Sequence, residues 1–476
     1  MNPSFLARAA VVLALAVVPL RIVGQGFWPT DDALRHAAKA VSGRAWSEVL
    51  VLRPEVTMDS HPGWHELLSL VHRVTGADAH ALVLFSVVVL LLALLLPAAF
   101  LMRRPEAWAL ALVALGTLDP RLPARFASGR PFVLSAALVV VLCLLLSRGG
   151  GLEAPRRALP QLAALFGLVA FVHPSWHLFL LPVAACVLAG RFRLGATLLA
   201  GLVLGVLLAG ILYGNPLEFV AQSVLHTVLA FGTPAPPGTL AIEFLPGDGS
   251  PMLVLGAVAL LLWRGLRGRW SPAAVESPVF ALVLLGWLLG WLVIRFWSDW
   301  GAVALLVWMA LEIETALEQL TDPASRRRVA LAVAGGAAAL LVLSASARGG
   351  RAAPPERSFL SLAAKAADPY LPEPGGILYT DDMRLFFQVF YSRPAAPWRY
   401  IVGYEPALMP PDDLATFRRV LAARTPASFA PWIRKMAPAD RLVLQSTEGR
   451  PQIPELEWAQ VSQTLWSGRV PRPPVP

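Results

Sequence analysis

Residues 79–104 read AHALVLFSVVVLLLALLLPAAFLMRR: a run without a single Asp, Glu, Lys or Arg from Ala79 to Leu101, closed by Arg103-Arg104. As a helix at about 1.5 Å per residue, such a run crosses the roughly 30 Å hydrocarbon core of a bilayer. The arginine pair behind it reads as a cytoplasmic stop. This pattern repeats along the chain. We read eleven spans, at 5–24, 79–101, 106–119, 130–147, 158–173, 175–190, 194–213, 251–264, 279–295, 300–315 and 329–347. Composition agrees: 56% of the 476 residues are hydrophobic and 15% charged, too little charge to cover a soluble domain of this length. The expected fold class is an α-helical polytopic membrane protein.

The connections alternate in character. One set is short and basic: Arg103-Arg104, Arg148 with Arg156-Arg157, Arg191 with Arg193, Arg264 with Arg267 and Arg269, and Arg326-Arg327-Arg328. These face the cytoplasm by the positive-inside rule, which also places the N-terminus inside and everything after about residue 349 outside. The net charge of +9 is therefore a topology signal, and nucleic acid is not an expected partner. The first run, Phe5 to Gly24, resembles a signal peptide, but no small-x-small cleavage site follows it and the topology works with it retained. Cys143 and Cys186 lie inside apolar runs, so no disulfide framework is indicated.

The opposite set of connections carries the chemistry. The first, 25–78, holds Asp31, Asp32, His36, Asp59, His61, His65 and His72. Later ones hold Asp119, Arg125 and Arg130, then His173 and His177, then Glu218, His226, Glu243 and Asp248, then Arg295 and Asp299. All eight histidines fall on this side or at its boundary, although arginines alone assigned the sides. Thr30 or Asp31 is placed to cap a helix starting near Asp32, on which Asp32 and His36 share a face, as do Asp31 and Arg35. A carboxylate just outside the membrane can serve as a general base. Simple capping with an ion pair explains the same spacing. A second helix is expected from Pro62 to about Val74, with His61 at its mouth and His65 one turn in. Proline at position 62 rules out the His-Glu zincin pattern. Arg125, Arg130 and Arg295 sit at span edges, where guanidinium matches a lipid phosphate or snorkels to headgroups.

In order and in sidedness these motifs resemble the GT-C superfamily of membrane glycosyltransferases, notably the protein mannosyltransferases and lipid A aminoarabinose transferases. The shared features are an acidic pair opening the first large outer loop (Asp31-Asp32), a His-Pro-Pro-like motif before a helix (His61-Pro62-Gly63), an Ala-Arg-Pro-Tyr-like motif opening a span (Gly129-Arg130-Pro131-Phe132), and a span near a histidine (His173). The resemblance covers about residues 1–200. Gly63 and Gly129 depart from the family's proline and alanine, which leaves donor and acceptor unassigned. The resemblance implies a sugar donor carried on a polyprenyl phosphate, an inverting transfer outside the membrane, and Asp32 or Asp31 as base, with Asp32 preferred because His36 can orient it. It implies Arg130, Arg125, Arg295 and His173, with His177 at the same depth, as holders of the leaving phosphate, and His61 and His65 at the edge of the pocket. A divalent metal, Mg2+ or Mn2+, is left open, there being no clear Asp-x-Asp triplet. The acceptor is a lipid, a polysaccharide or a protein.

The tail from 349 to 476 is rich in proline and charge, with strand-like runs at 376–379 and 441–444 and amphipathic helices at 413–424 and 428–436. It reads as a small periplasmic α/β domain beside a transmembrane domain, 1–348, in the cell membrane. Its aromatic residues Trp398, Tyr400, Tyr404, Trp432, Trp458 and Trp466 are expected to form that domain's own core rather than a sugar platform. Two other classes were weighed. A transporter or flippase needs charge in mid-span, whereas these spans are mostly Leu, Ala and Val. A non-catalytic scaffold keeps the same motifs and is separated only by activity.

Overall fold

The computed structural model describes residues 3–147, 155–231, 245–267, 274–319, 322–349, 362 and 365–471. Arg148, Glu243 and Arg269 lie outside them. The chain divides into two compact units: a helical unit of Met1–Phe27, Leu84–Val220 and Glu243–Ala352, and a sheet unit of Trp28–Val83, Ala221–Ile242 and Ala353–Pro476.

In the helical unit five helices are long and apolar enough to cross a bilayer: Ser4–Gly24, Ala79–Leu101 (which starts in the sheet unit), Phe192–Tyr213, Ile294–Glu318 and Ala324–Ala345. Six shorter apolar helices accompany them, at Pro105–Leu118, Phe132–Ser147, Arg157–Val172, Trp176–Leu188, Pro251–Leu266 and Pro278–Gly290. The chain is thus a multi-pass membrane protein, because such helices satisfy every backbone group internally. The first helix is part of the bundle. Its Arg8 guanidinium donates to the carbonyls of Ala99 (2.6 Å) and Met102 (2.9 Å) at the end of another long helix.

Close helix approach comes from small residues, as expected where lipid removes the hydrophobic drive between helices. Gly201 and Gly205, one turn apart on the Phe192–Tyr213 helix, meet the Pro155–Val172 helix. A Cβ on Gly205 would lie 2.6 Å from the Phe166 Cβ and 2.7 Å from the Gly167 nitrogen. Gly205→Leu is therefore expected to lower stability by about 2–3 kcal/mol. This is read as a fall in unfolding temperature in detergent, and an unchanged midpoint overturns the packing argument.

The sheet unit contains five strands: β1 (Ile377–Thr380), β2 (Arg399–Tyr400), β3 (Arg441–Gln445), β4 (Glu457–Gln460) and β5 (Leu465–Arg469). Their order is β2-β1-β3-β5-β4, with β1 parallel to both β2 and β3, and β5 antiparallel to β3 and β4. The expected amphipathic helices run from Pro411 to Ala423 and from Pro426 to Lys435. They cover the sheet with a core that includes Tyr379, Phe417, Trp432 and Leu442. The edge at β2 is not left open. Leu50 makes a parallel bridge to Tyr400, the Val51 amide donates to the Tyr400 carbonyl (3.0 Å), and the Arg53 amide donates to the Leu408 carbonyl (2.9 Å). Arg44 donates to the Ala396 carbonyl at 2.5 Å. The segment that follows the first apolar helix thus completes the tail's sheet edge, which is why the two fold together.

Candidate functional site

Two clusters of polar side chains stand out, one in each unit. In the sheet unit the helix Asp32–Ser42 buries Ala33, Leu34, Ala37, Ala38 and Ala40. This small-residue surface lets it pack closely against two helices, Pro62–Thr75 and Met383–Ser392. Gly43 ends it in the left-handed conformation, φ 61°. Asp31 occupies the cap position but makes no side-chain capping bond. Arg35 pairs with Asp32, one turn away. The second Asp32 oxygen, Oδ2, lies 3.6 Å from His36 Nε2.

The Pro62–Thr75 helix begins as expected, with proline in its first turn and His61 at the cap. Asp59 turns back onto this start, and its Oδ1 accepts from the His61 amide at 2.9 Å. Its Oδ2 lies 2.7 Å from His65 Nδ1, and His65 Nε2 lies 2.8 Å from His36 Nδ1. The His61 ring stands edge-on to His36 at 4.8 Å, with its Nδ1 3.0 Å from Ser60 Oγ. His36 is fully buried and His65 nearly so. Tyr404 departs from the expected core role: its ring lies 3.9 Å beneath the Arg35 guanidinium, while Trp46 approaches Tyr404 at 5.0 Å. Trp398, Tyr400 and Trp432 are buried as core.

The electrostatics follow from this burial. Burial, reinforced by the Arg35 guanidinium, pushes His36 down to about 3. Burial also lowers His65, against the opposing pull of Asp59. Burial alone would raise Asp59, but the His65 ring and hydrogen bonds from that ring and the His61 amide hold its carboxyl below the usual carboxylate range. At neutral pH both imidazoles are neutral and Asp59 is ionised. The unfolded chain protonates His36 near 6.5, the folded chain only near 3. Above the first value the group does not affect stability. Between the two, stability falls as pH falls, by about 1.4 kcal/mol per pH unit. Wild type is expected to lose more unfolding temperature between pH 7 and 5 than His36→Gln, and parallel losses overturn the neutral assignment.

The helical unit holds the second cluster. Helix Pro278–Gly290 approaches the π-helical turn Trp297–Gly301 so closely that a Cβ on Gly286 would sit 2.4 Å from the Gly301 Cα. This turn carries Asp299, buried among cations. Arg125 grips it with two bonds, Nε to Oδ1 at 2.7 Å and Nη2 to Oδ2 at 3.0 Å, and Arg295 Nε lies 3.3 Å from Oδ2. Arg295 Nη2 is 3.2 Å from His173 Nε2, and His173 Nδ1 meets Ser135 Oγ at 2.9 Å. Arg125 and Arg130 lie over the Phe132 ring, at 4.5 and 5.7 Å. Gly129 has φ of 70°, a conformation that explains glycine where the family pattern has alanine. His177 lies in the 3-10 turn Trp176–Phe179, edge-on to Trp176. Nearby, Arg121 bridges Asp119 and Asp248, and Ser250 links Asp119 to the Trp297 indole.

The predicted residues therefore fall into two groups: Asp31, Asp32, His36, His61 and His65 in the sheet unit, and Arg125, Arg130, His173, His177 and Arg295 in the helical unit. Sequence reading left Asp59, Asp299, Arg35 and Tyr404 out of the site. Asp59, two residues before the His61 motif, was the one with a local signal. Among the described residues no group of three or more His, Cys, Asp or Glu is placed to hold a metal ion.

No family model matches the chain, and no curated protein matches it in sequence. Solved structures do match. ArnT from Cupriavidus metallidurans is similar over 96% of this chain and 97% of its own, with a TM-score of 0.56 and 16% identity. The archaeal oligosaccharyltransferase AglB from Archaeoglobus fulgidus, solved with an inhibitory peptide and a dolichol-phosphate, is similar over 92% of this chain and 69% of its own, with a TM-score of 0.52 and 12% identity. At these identities the two likenesses show the fold alone: this chain has the fold of ArnT and AglB.

Proposed function

We propose that the chain is a membrane glycosyltransferase that moves a sugar from a polyprenyl-phosphate donor to an acceptor outside the cytoplasm. The observation that carries this reading is Asp32. It opens a helix, is partly exposed, and has one oxygen fixed by Arg35 while the other looks onto His36. A carboxylate so held is oriented to take a proton from an attacking hydroxyl or amine. The second requirement, charge stabilisation on the leaving phosphate, is met in kind by Arg125, Arg130 and Arg295. Guanidinium groups match a lipid phosphate in charge and in hydrogen-bond geometry. His173 and His177 border this group; His61 and His65 border the sugar or acceptor pocket. Transfer is a single displacement with inversion at the anomeric carbon. That AglB was solved with a dolichol-phosphate supports a lipid phosphate as the carrier class.

In this reading all eleven apolar helices span the cell membrane, the N-terminus is cytoplasmic, and residues 349–476 are periplasmic together with the segment Trp28–Val83 of their unit. The test uses the purified full-length chain and a total lipid extract of its source cells. Native mass spectrometry is expected to find a bound polyprenyl phosphate or its sugar ester, and incubation is expected to release polyprenyl phosphate. A chain that neither binds nor releases either species overturns the proposal.

A further inference from the structure

The buried His36 Nε2 has no partner within hydrogen-bond distance, Asp32 Oδ2 standing 3.6 Å away, and a buried nitrogen so placed calls for an explanation. The tautomers explain it. Asp59 is ionised, so His65 Nδ1 must carry the hydrogen donated across 2.7 Å. His65 Nε2 is then a lone pair, and in the 2.8 Å contact with His36 the hydrogen must come from His36 Nδ1. That leaves His36 Nε2 as a lone pair as well, aimed at Asp32 Oδ2 3.6 Å away. Two acceptors face each other with no hydrogen between them. Their separation, 3.6 Å, is longer than an ordinary hydrogen bond.

We propose that His36, with His65 and Asp59 fixed behind it, receives the proton that Asp32 takes from the acceptor, so that the base is a four-residue chain rather than a lone carboxylate. This rests on Asp32 being the base. As the acceptor's electron pair forms the bond to the anomeric carbon, the bond to the phosphate oxygen breaks and its pair leaves with the phosphate. The acceptor's proton passes to Asp32 Oδ2. It now supplies the missing donor, closes the gap to His36 Nε2 and moves onto it. The His36 imidazolium is held through Nδ1–H by His65, whose own Nδ1–H is held by ionised Asp59. Asp59 stays ionised and acts through orientation and charge, the role of the carboxylate in a serine-hydrolase triad. When product leaves, the proton returns to Asp32 and goes to water. Return is easy because burial and Arg35 keep His36 weakly basic, at about 3. The other groups facing the pair are Lys39 and Arg35 on its own helix, His61 beside it, Tyr404 over Arg35, and His226, which feels the Asp59 charge. His36, His65 and Asp59 are positioning residues, since none of them needs to touch the substrate.

The experiment has two readouts on the full-length chain. Nitrogen NMR of 15N-histidine-labelled protein at pH 7 is expected to show His36 and His65 neutral, both with hydrogen on Nδ1. In Asp59→Ala both rings are expected to shift together toward the Nε2–H form. Wild-type rings carrying hydrogen on Nε2 overturn the chain. Turnover is read as polyprenyl phosphate released from the source-cell lipid extract. Asp59→Ala and His65→Gln are each expected to lower kcat by about tenfold or more with KM unchanged, since a wrong tautomer disables the base without touching binding. If Asp32→Asn retains turnover, the base reading itself fails. If Asp32→Asn is inactive while both other variants match wild type, the base stands and the chain behind it falls.

Discussion

Asp32→Asn is expected to reduce sugar transfer by about two to four orders of magnitude, the usual contribution of a general base. The substitution keeps size and shape and can still receive a hydrogen bond from Arg35. What it removes is the ability to take a proton and the charge that answers Arg35. Asp31→Asn is the control on the neighbouring residue. Asp31 sits at the cap position and makes no side-chain capping bond, whereas Asp32 is the residue paired with Arg35 and facing His36. Asp31→Asn is expected to retain turnover within a few-fold. The measurement is release of polyprenyl phosphate by each purified variant at matched protein, and complementation in cells with protein levels checked. Full activity of Asp32→Asn ends the general-base proposal, and loss in Asp31→Asn alone moves the base by one residue.

Much of this arrangement was legible in the chain because it is local. The pairing of Asp32 with His36 follows from helix spacing, and the start of the Pro62–Thr75 helix follows from proline and its neighbours. The apolar runs were legible as well, since a bilayer imposes one length scale on every helix. Asp59 and Asp299 were harder to read. Asp59 gains its meaning from the contact between His36 and His65, 29 positions apart, which depends on how two helices pack. Asp299 looked like a lone acid beside Arg295, and only the bundle brings Arg125 to it from 174 positions away. The edge contact between Val51 and Tyr400 belongs to the same class: a backbone pairing across hundreds of residues leaves no periodic trace. Tyr404 was assigned to the core because aromatic rings in a small domain usually go there. A buried guanidinium needing a partner redirected it.

Arg125→Ala is expected to act through two separable effects, and Asp299 separates them. Arg125 supplies both of the short guanidinium bonds to the Asp299 carboxylate, Ser298 Oγ donates a third bond to Oδ1 at 2.9 Å, and Arg295 approaches Oδ2 at 3.3 Å. Removing Arg125 leaves a buried carboxylate poorly answered, a defect that costs about 3 kcal/mol or more. The single variant should therefore unfold at lower temperature in detergent, and its loss of activity alone says nothing about phosphate. In Arg125→Ala/Asp299→Ala the orphaned charge is gone, and stability is expected to recover most of the loss. Donor handling is not. With one guanidinium fewer toward the lipid phosphate, the double variant is expected to bind polyprenyl phosphate at least about tenfold more weakly, a charge-assisted contact being worth roughly 1.5–3 kcal/mol. Asp299→Ala alone points the other way. It frees two guanidinium groups from their carboxylate and is expected to hold the phosphate as tightly as wild type or tighter, with slower release. If the double variant regains both stability and wild-type affinity, Arg125 serves only to neutralise Asp299. The lipid phosphate must then be held by Arg130, Arg295 and His173 without it.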